Sequence, residues 1–123
     1  MATIYLYFNA FIYAALALWC TLAPTDTAVA VGYETLSRSG MSEYLVVYGG
    51  LEFGLALFFV WCVHSGMQRA GVAFSLALYV PIVLYRFATV IHQWPVASIT
   101  LGTGILEIVL LLGAIVAWRS VRA

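Results

Sequence analysis

Three ionisable residues interrupt long apolar stretches of this sequence: Glu52, Arg86 and Glu107. A charge at the centre of a bilayer costs about 2.5–3.5 kcal/mol on insertion scales, so such residues are kept only with partners or a task. Two acids and one base carry one excess negative charge when all are ionised. Desolvation and repulsion between the carboxylates then make a shared proton or a shared cation the expectation. The chemistry open to such a trio is a general acid, a proton-coupling site or a receptor for a polar head group. The bland alternative is a salt-bridged staple, in which Arg86 is held by both acids; removing one partner would strand a charge at about 3–5 kcal/mol.

Whether the three can meet depends on the elements that carry them. The chain is 65% hydrophobic and 8% charged, with a mean hydropathy of +1.05. So little polar surface could not cover a water-soluble domain. Apolar stretches over residues 4–22, 44–63, 70–91 and 97–118 are each about 20 residues, enough to cross a hydrocarbon core. The expected fold is therefore all-α, an integral membrane bundle of four transmembrane helices forming one domain over residues 1–123. Ala28-Val29-Ala30 has the small-residue spacing of a signal cleavage site, but no Lys or Arg precedes the first apolar run, which favours a retained helix.

Arg counts set the orientation. Arg69, Arg119 and Arg122 fall on the side of the termini, and only Arg38 on the other. The positive-inside rule then places both termini in the cytoplasm of a bacterial inner membrane. With span two entering near Glu43, Glu52 lies about 13 Å deep, Arg86 about 9 Å and Glu107 about 15 Å, at 1.5 Å per residue. All three belong to the outer half, and one cluster is the expectation. By helical spacing Tyr48 sits a turn from Glu52, and Thr100, Thr103 and Gly104 share a face with Glu107. Tyr79, Ile82 and Gln93 fall on the Arg86 side of span three.

Local signals mark the boundaries. Pro24 stops span one, Ser42 caps span two, and Pro95 ends span three. Pro81 is expected to kink span three and free a carbonyl. Gly50 and Gly54 form a small-xxx-small pair suited to close helix packing. The loop from Pro24 to Ser42 is expected to lie against the bundle or at the interface, with a lid as the sharper alternative. Tyr5, Asn9, Tyr13 and Cys20 form a polar stripe on span one, read as interhelical glue set away from the charges. Phe58, Phe59 and Trp61 are read as packing or lipid-facing residues.

Other chemistry finds little support. Cys20 and Cys62 fall near opposite faces and cannot approach within the roughly 7 Å that a disulfide requires. His64 and His92 are equally far apart, so no metal ligand set and no cofactor is expected. Gly-rich phosphate loops, Gly-x-Ser-x-Gly and metalloprotease patterns are absent from the sequence. No basic patch suggests nucleic acid.

The residues Ser39-Gly40-Met41-Ser42-Glu43 and Val47-Tyr48-Gly49-Gly50-Leu51-Glu52-Phe53-Gly54-Leu55-Ala56-Leu57-Phe58-Phe59, with an Arg late in span three and a Glu within span four, resemble a bacterial four-helix family, domain of unknown function 4345, related to DoxX-like membrane proteins. The resemblance covers nearly the whole chain. It implies a four-helix inner-membrane protein and carries no activity or catalytic residues.

The functional expectation is a pocket of Tyr48, Glu52, Arg86, Thr103 and Glu107 that receives a lipid-like or quinone-like ligand or a partner helix. Glu52 and Glu107 are the candidate acids of an alternative, an intramembrane isomerase or cyclase. A proton-coupled transporter subunit is a third reading. The bilayer is the expected partner, with a homo-oligomer or a place in a larger membrane complex left open.

Overall fold

The computed structural model describes residues 1–122. Among these the chain is entirely helical, and the turns between helices have local causes. Helix α1 (Ala2–Leu22) ends at Ala23, and Pro24 opens the short α2 (Pro24–Ala30) at a first-turn position where no backbone donor is needed. Gly32, at φ +103°, turns the chain out of α2 in a conformation that side-chain-bearing residues avoid. Ser37 caps α3 (Arg38–His64), its side-chain oxygen accepting from the Gly40 amide at 3.0 Å. Gly66, at φ +68°, reverses the chain into α4 (Gln68–His92). The last helix, α5, covers Ser98–Arg122. Helices α1, α3, α4 and α5 are long and apolar enough to cross a membrane.

The expected span two begins too late. Helix α3 starts at Arg38 rather than Tyr44, and Ser37 takes the capping role assigned to Ser42. The segment expected as a loop is partly α2, which lies against the bundle. Its Thr27 and Ala28 are buried, and the Tyr44 hydroxyl donates to Thr27 Oγ1 at 2.9 Å. Pro81 does not interrupt α4, which runs unbroken from Gln68 to His92.

The helices alternate in direction, so each bundle end gathers particular segments. The end holding both chain termini is filled solid. Leu6, Phe59, Cys62, Val72, Ala114 and Ala117 are buried together there. Gly71 makes this possible, because a Cβ on it would lie 3.0 Å from the Leu6 methyls and 3.1 Å from Cys62. Polar groups at this level are paired: the fully buried Asn9 donates to the Tyr5 carbonyl at 2.8 Å and accepts from the Tyr79 hydroxyl. Tyr5 in turn donates to the Leu110 carbonyl at 2.9 Å. Phe59 belongs to this core, Phe58 packs against it, and Trp61 is exposed. At the other end Cys20, Ala28 and Tyr44 form a smaller cluster under α2. The two thiols are free and belong to different clusters, as their sequence positions required.

Helix α3 contains one irregularity. Residues Val46–Leu51 form a wide π turn, with bonds from i to i+5 in place of i+4. Gly49 lies inside it and brings the backbone against α1, where an added Cβ would meet Thr21 Oγ1 at 3.0 Å. A Cβ added at Gly50 or Gly54 would meet nothing within 4 Å, so the close approach expected of that pair belongs to Gly49.

Substituting Gly71→Ala must displace Leu6 or Cys62. The expected cost is about 1–3 kcal/mol, typical of overpacking, read as a lowered unfolding midpoint of the protein purified in detergent. Gly102→Ala, where an added Cβ meets nothing, should leave that midpoint unchanged or raise it.

Candidate functional site

Arg86 on α4 and Glu107 on α5 meet because helical side chains tilt toward their own N-termini. The two helices are antiparallel, so the Arg86 side chain descends while that of Glu107 rises. Their heads arrive at one level although their backbones do not. The contact is bidentate: Arg86 Nε donates to Glu107 Oε2 at 2.8 Å and Nη2 to Oε1 at 2.6 Å. This fork-to-fork geometry is the strongest form of a charged hydrogen bond. Gly104, one turn before Glu107, clears the path, since a Cβ there would stand 3.2 Å from Arg86 Cγ. The pair is partly enclosed, with the Arg86 side chain 33% exposed and that of Glu107 13%.

Glu52 stands apart from this pair. It forms no ion pair among the described residues, and its Oε2 is buried without a hydrogen-bond partner. The expected cluster of three charges therefore divides into a closed neutral pair and a lone carboxyl. Yet the two acids share a space. A cavity of about 240 Å³ lies between α1, α3, α4 and α5, and both Glu52 and Glu107 line it, with Thr103, Tyr13, Tyr79 and Ile82. Its remaining walls are aliphatic, among them Leu16, Leu51, Leu55 and Leu110.

Each residue expected at the site can now be placed. Glu52, Thr103 and Glu107 come together around the cavity. Thr103 has spent its proton on the Ile99 carbonyl at 2.9 Å, so only its lone pairs remain to accept. Arg86 touches Glu107 but faces a separate groove between α4 and α5, together with Thr100 and Gly104. Tyr48 does not line the cavity; it stacks on Tyr44 at 4.5 Å between ring centroids and borders a crevice beside Tyr33 and Glu43. The π turn is the reason. It breaks the α spacing between Tyr48 and Glu52, and Val47, five residues before Glu52, takes the cavity-facing position instead.

Tyr13 is the residue that sequence reasoning misplaced. It was grouped with the glue of span one, yet its side of α1 reaches the cavity opposite Glu52. Counting three helical turns from Ala2 would have raised it to mid-bundle, the level of Tyr79. No group of three or more His, Cys, Asp or Glu residues that could hold a metal ion occurs among the described residues.

Comparison with protein-family models, with curated proteins and with solved structures found no match to this chain. The likeness to domain of unknown function 4345 rests on the residues quoted for it alone.

The pair and the lone acid should respond oppositely to substitution. Glu107→Leu strands the Arg86 guanidinium and is expected to cost about 3–5 kcal/mol. Glu52→Leu removes a buried group that has no protein partner, and is expected to be neutral or stabilising. Denaturant unfolding of the two variants in the same detergent checks the contrast.

Proposed function

We propose that this is a multi-pass membrane protein that binds a lipid-soluble molecule by its polar head, in the cavity beside Glu52. Four helices of sufficient length and apolarity support the bilayer placement. The large apolar side chains left exposed on them, such as Ile4, Phe11, Leu84, Tyr85 and Ile91, have the character of a lipid-facing surface. Arg69, Arg119 and Arg122 gather at the terminal end, while Asp26, Glu34 and Glu43 lie at the other with Arg38. That distribution favours cytoplasmic termini and an outward-facing cavity half.

The observation that carries the binding reading is the unpartnered Glu52 Oε2. A buried polar atom left unpaired costs about 1–3 kcal/mol. Among the described residues nothing settles that cost, whereas Arg86 and Glu107 settle each other's. A head group offering an O–H or N–H donor to Glu52, or accepting from it when it carries a proton, removes the cost on binding. Glu107 and Thr103 supply further acceptors in the same wall, and Tyr13 and Tyr79 flank the space. Drug-sized ligands occupy sites of roughly 300–1,000 Å³, so a cavity of about 240 Å³ suits a single ring or small head group, with its hydrocarbon tail outside. Glu52 and Glu107 in one cavity also fit the acid of an isomerase acting on such a molecule, and the ligand bound would then be its substrate or product. Transport draws less support, because the terminal half of the bundle is packed with side chains.

Mass spectrometry of the intact protein released from detergent tests this directly. The expected result is a co-purified small molecule whose occupancy depends on Glu52. Loss of a hydrogen bond to a charged group, worth about 1.5–3 kcal/mol, should weaken it roughly 10- to 150-fold in Glu52→Leu. A wild-type mass equal to the bare chain, or equal retention by the variant, would overturn the reading.

A further inference from the structure

We infer that the head group received beside Glu52 is a primary ammonium, and that the ligand is a lipid-soluble monoamine. This rests on the cavity and the bilayer placement proposed above. It narrows them by the hydrogens, the charge and the depth of the site.

Five polar side chains line the cavity: Tyr13, Glu52, Tyr79, Thr103 and Glu107. Hydrogens are scarce among them. Thr103 donates to the Ile99 carbonyl at 2.9 Å and Tyr79 donates to Asn9 Oδ1, so each hydroxyl has only lone pairs to offer. The Glu107 carboxylate carries no hydrogen, and each of its oxygens takes one bond from Arg86 and keeps room for another. Arg86 borders the groove on the far side and is not part of this wall. Glu52 Oε2, buried without a partner, is a fourth acceptor when the carboxyl is ionised. Against these four stands at most one hydrogen, that of the Tyr13 hydroxyl. Ketones, esters and quinones would bring acceptors to a wall already made of them. A primary ammonium brings three N–H donors and no lone pair.

Charge separates the ammonium from neutral donors such as alcohols. Arg86 and Glu107 neutralise each other through their bidentate contact. An ionised Glu52 then leaves the site with one net negative charge, which a single positive charge on the ligand cancels. A hydroxyl leaves that charge in place, and a carboxylate or phosphate adds to it. Buried charges are kept where they are both paired and hydrogen-bonded, and hydrogen bonds between ions are roughly twice as strong as those between neutral groups.

Depth excludes amines that carry a second charge. Helix α3 spans 27 residues, and Glu52 lies fourteen after Arg38 and twelve before His64. At 1.5 Å per residue it stands about 21 Å from one end and about 18 Å from the other, close to the middle of a hydrocarbon core of about 30 Å. Phosphatidylethanolamine would carry its phosphate to that depth, and an amino acid its carboxylate, each at the cost of an intramembrane charge. Neither finds a free cation there, since Arg86 is held by Glu107. The amine therefore carries hydrocarbon alone, which the aliphatic walls at Leu16, Leu51, Leu55 and Leu110 receive. A cavity of about 240 Å³ suits a body of one ring.

Four probes sharing one phenyl ring test this by isothermal titration calorimetry at pH 7, with the protein in detergent and a matched detergent blank. 2-Phenylethylamine has both the charge and the N–H donors. Its N,N,N-trimethyl derivative keeps the charge without donors, 2-phenylethanol keeps a donor without charge, and acetophenone only accepts. The expected result is one saturable amine per chain, bound at least tenfold more tightly than each of the other three. Glu52→Gln, which keeps the shape and removes the charge, should weaken the amine at least tenfold. Alcohol or ketone binding as tightly as the amine would overturn the inference and leave the cavity standing as a site for another head group. Equal binding of the trimethyl derivative would overturn it as well, since the N–H donors would then not matter. Absence of saturable amine binding by the wild-type protein would overturn it without any variant. The reading of the cavity is judged separately, by whether a molecule co-purifies with the wild-type protein and not with Glu52→Leu.

Discussion

The bidentate contact between Arg86 and Glu107 is the constraint on which the other polar features depend. It fixes the rotation of α4 against α5, since both side chains must reach one level from backbones at different heights. It requires the missing side chain of Gly104, because the aliphatic stem of Arg86 lies where a Cβ would be. It also divides the space around it, leaving the cavity on the Glu107 side and the groove on the Arg86 side. Most of all, it satisfies two of the three intrahelical charges with each other. The third, Glu52, is left to find a partner elsewhere.

Packing along the bundle is correspondingly uneven. At the terminal end, Gly71 and Gly113 let Leu6 and Tyr5 press against neighbouring backbone, and the buried Asn9 and Tyr79 complete each other's hydrogen bonds. That half behaves as a closed core, in which an added methyl must displace its neighbours. Beyond Tyr79 the helices no longer fill the space between them. The wide turn at Val46–Leu51 coincides with this change, and Glu52 is the first residue after it. Such turns cost regular hydrogen bonding and recur where a helix presents a functional side chain. Rigidity at one end and free volume at the other is an arrangement suited to holding a head group in place.

Sequence patterns made the four long helices legible, because apolar length and a rise of 1.5 Å per residue need no tertiary information. The same arithmetic brought Glu52, Thr103 and Glu107 to one cavity. It could not show how three charges pair, since pairing depends on rotation about each helix axis and on side-chain tilt. Tyr48 illustrates the limit: the assumption of unbroken α spacing placed it beside Glu52, and a single wide turn removed it. Gly50 with Gly54 matched a packing motif, yet the close contact belongs to Gly49, because the motif says nothing about which face meets a neighbour. The sequence reading put the cap of span two at Ser42 because Arg38 and Ser39 are polar and hid the true start of α3, which Ser37 caps. Tyr13 was misjudged for another reason, as its place at the cavity depends on the helix opposite and not on its own.

The central claim is that Glu52 remains unpaired within the protein so that a bound molecule can partner it. An experimental structure of the chain purified from membranes without delipidation tests it most directly. The account predicts the Arg86–Glu107 fork intact and non-protein density within hydrogen-bond distance of the Glu52 carboxyl, between Tyr13 and Thr103. A Glu52 side chain turned onto Arg86, with the cavity closed by protein side chains, would contradict it.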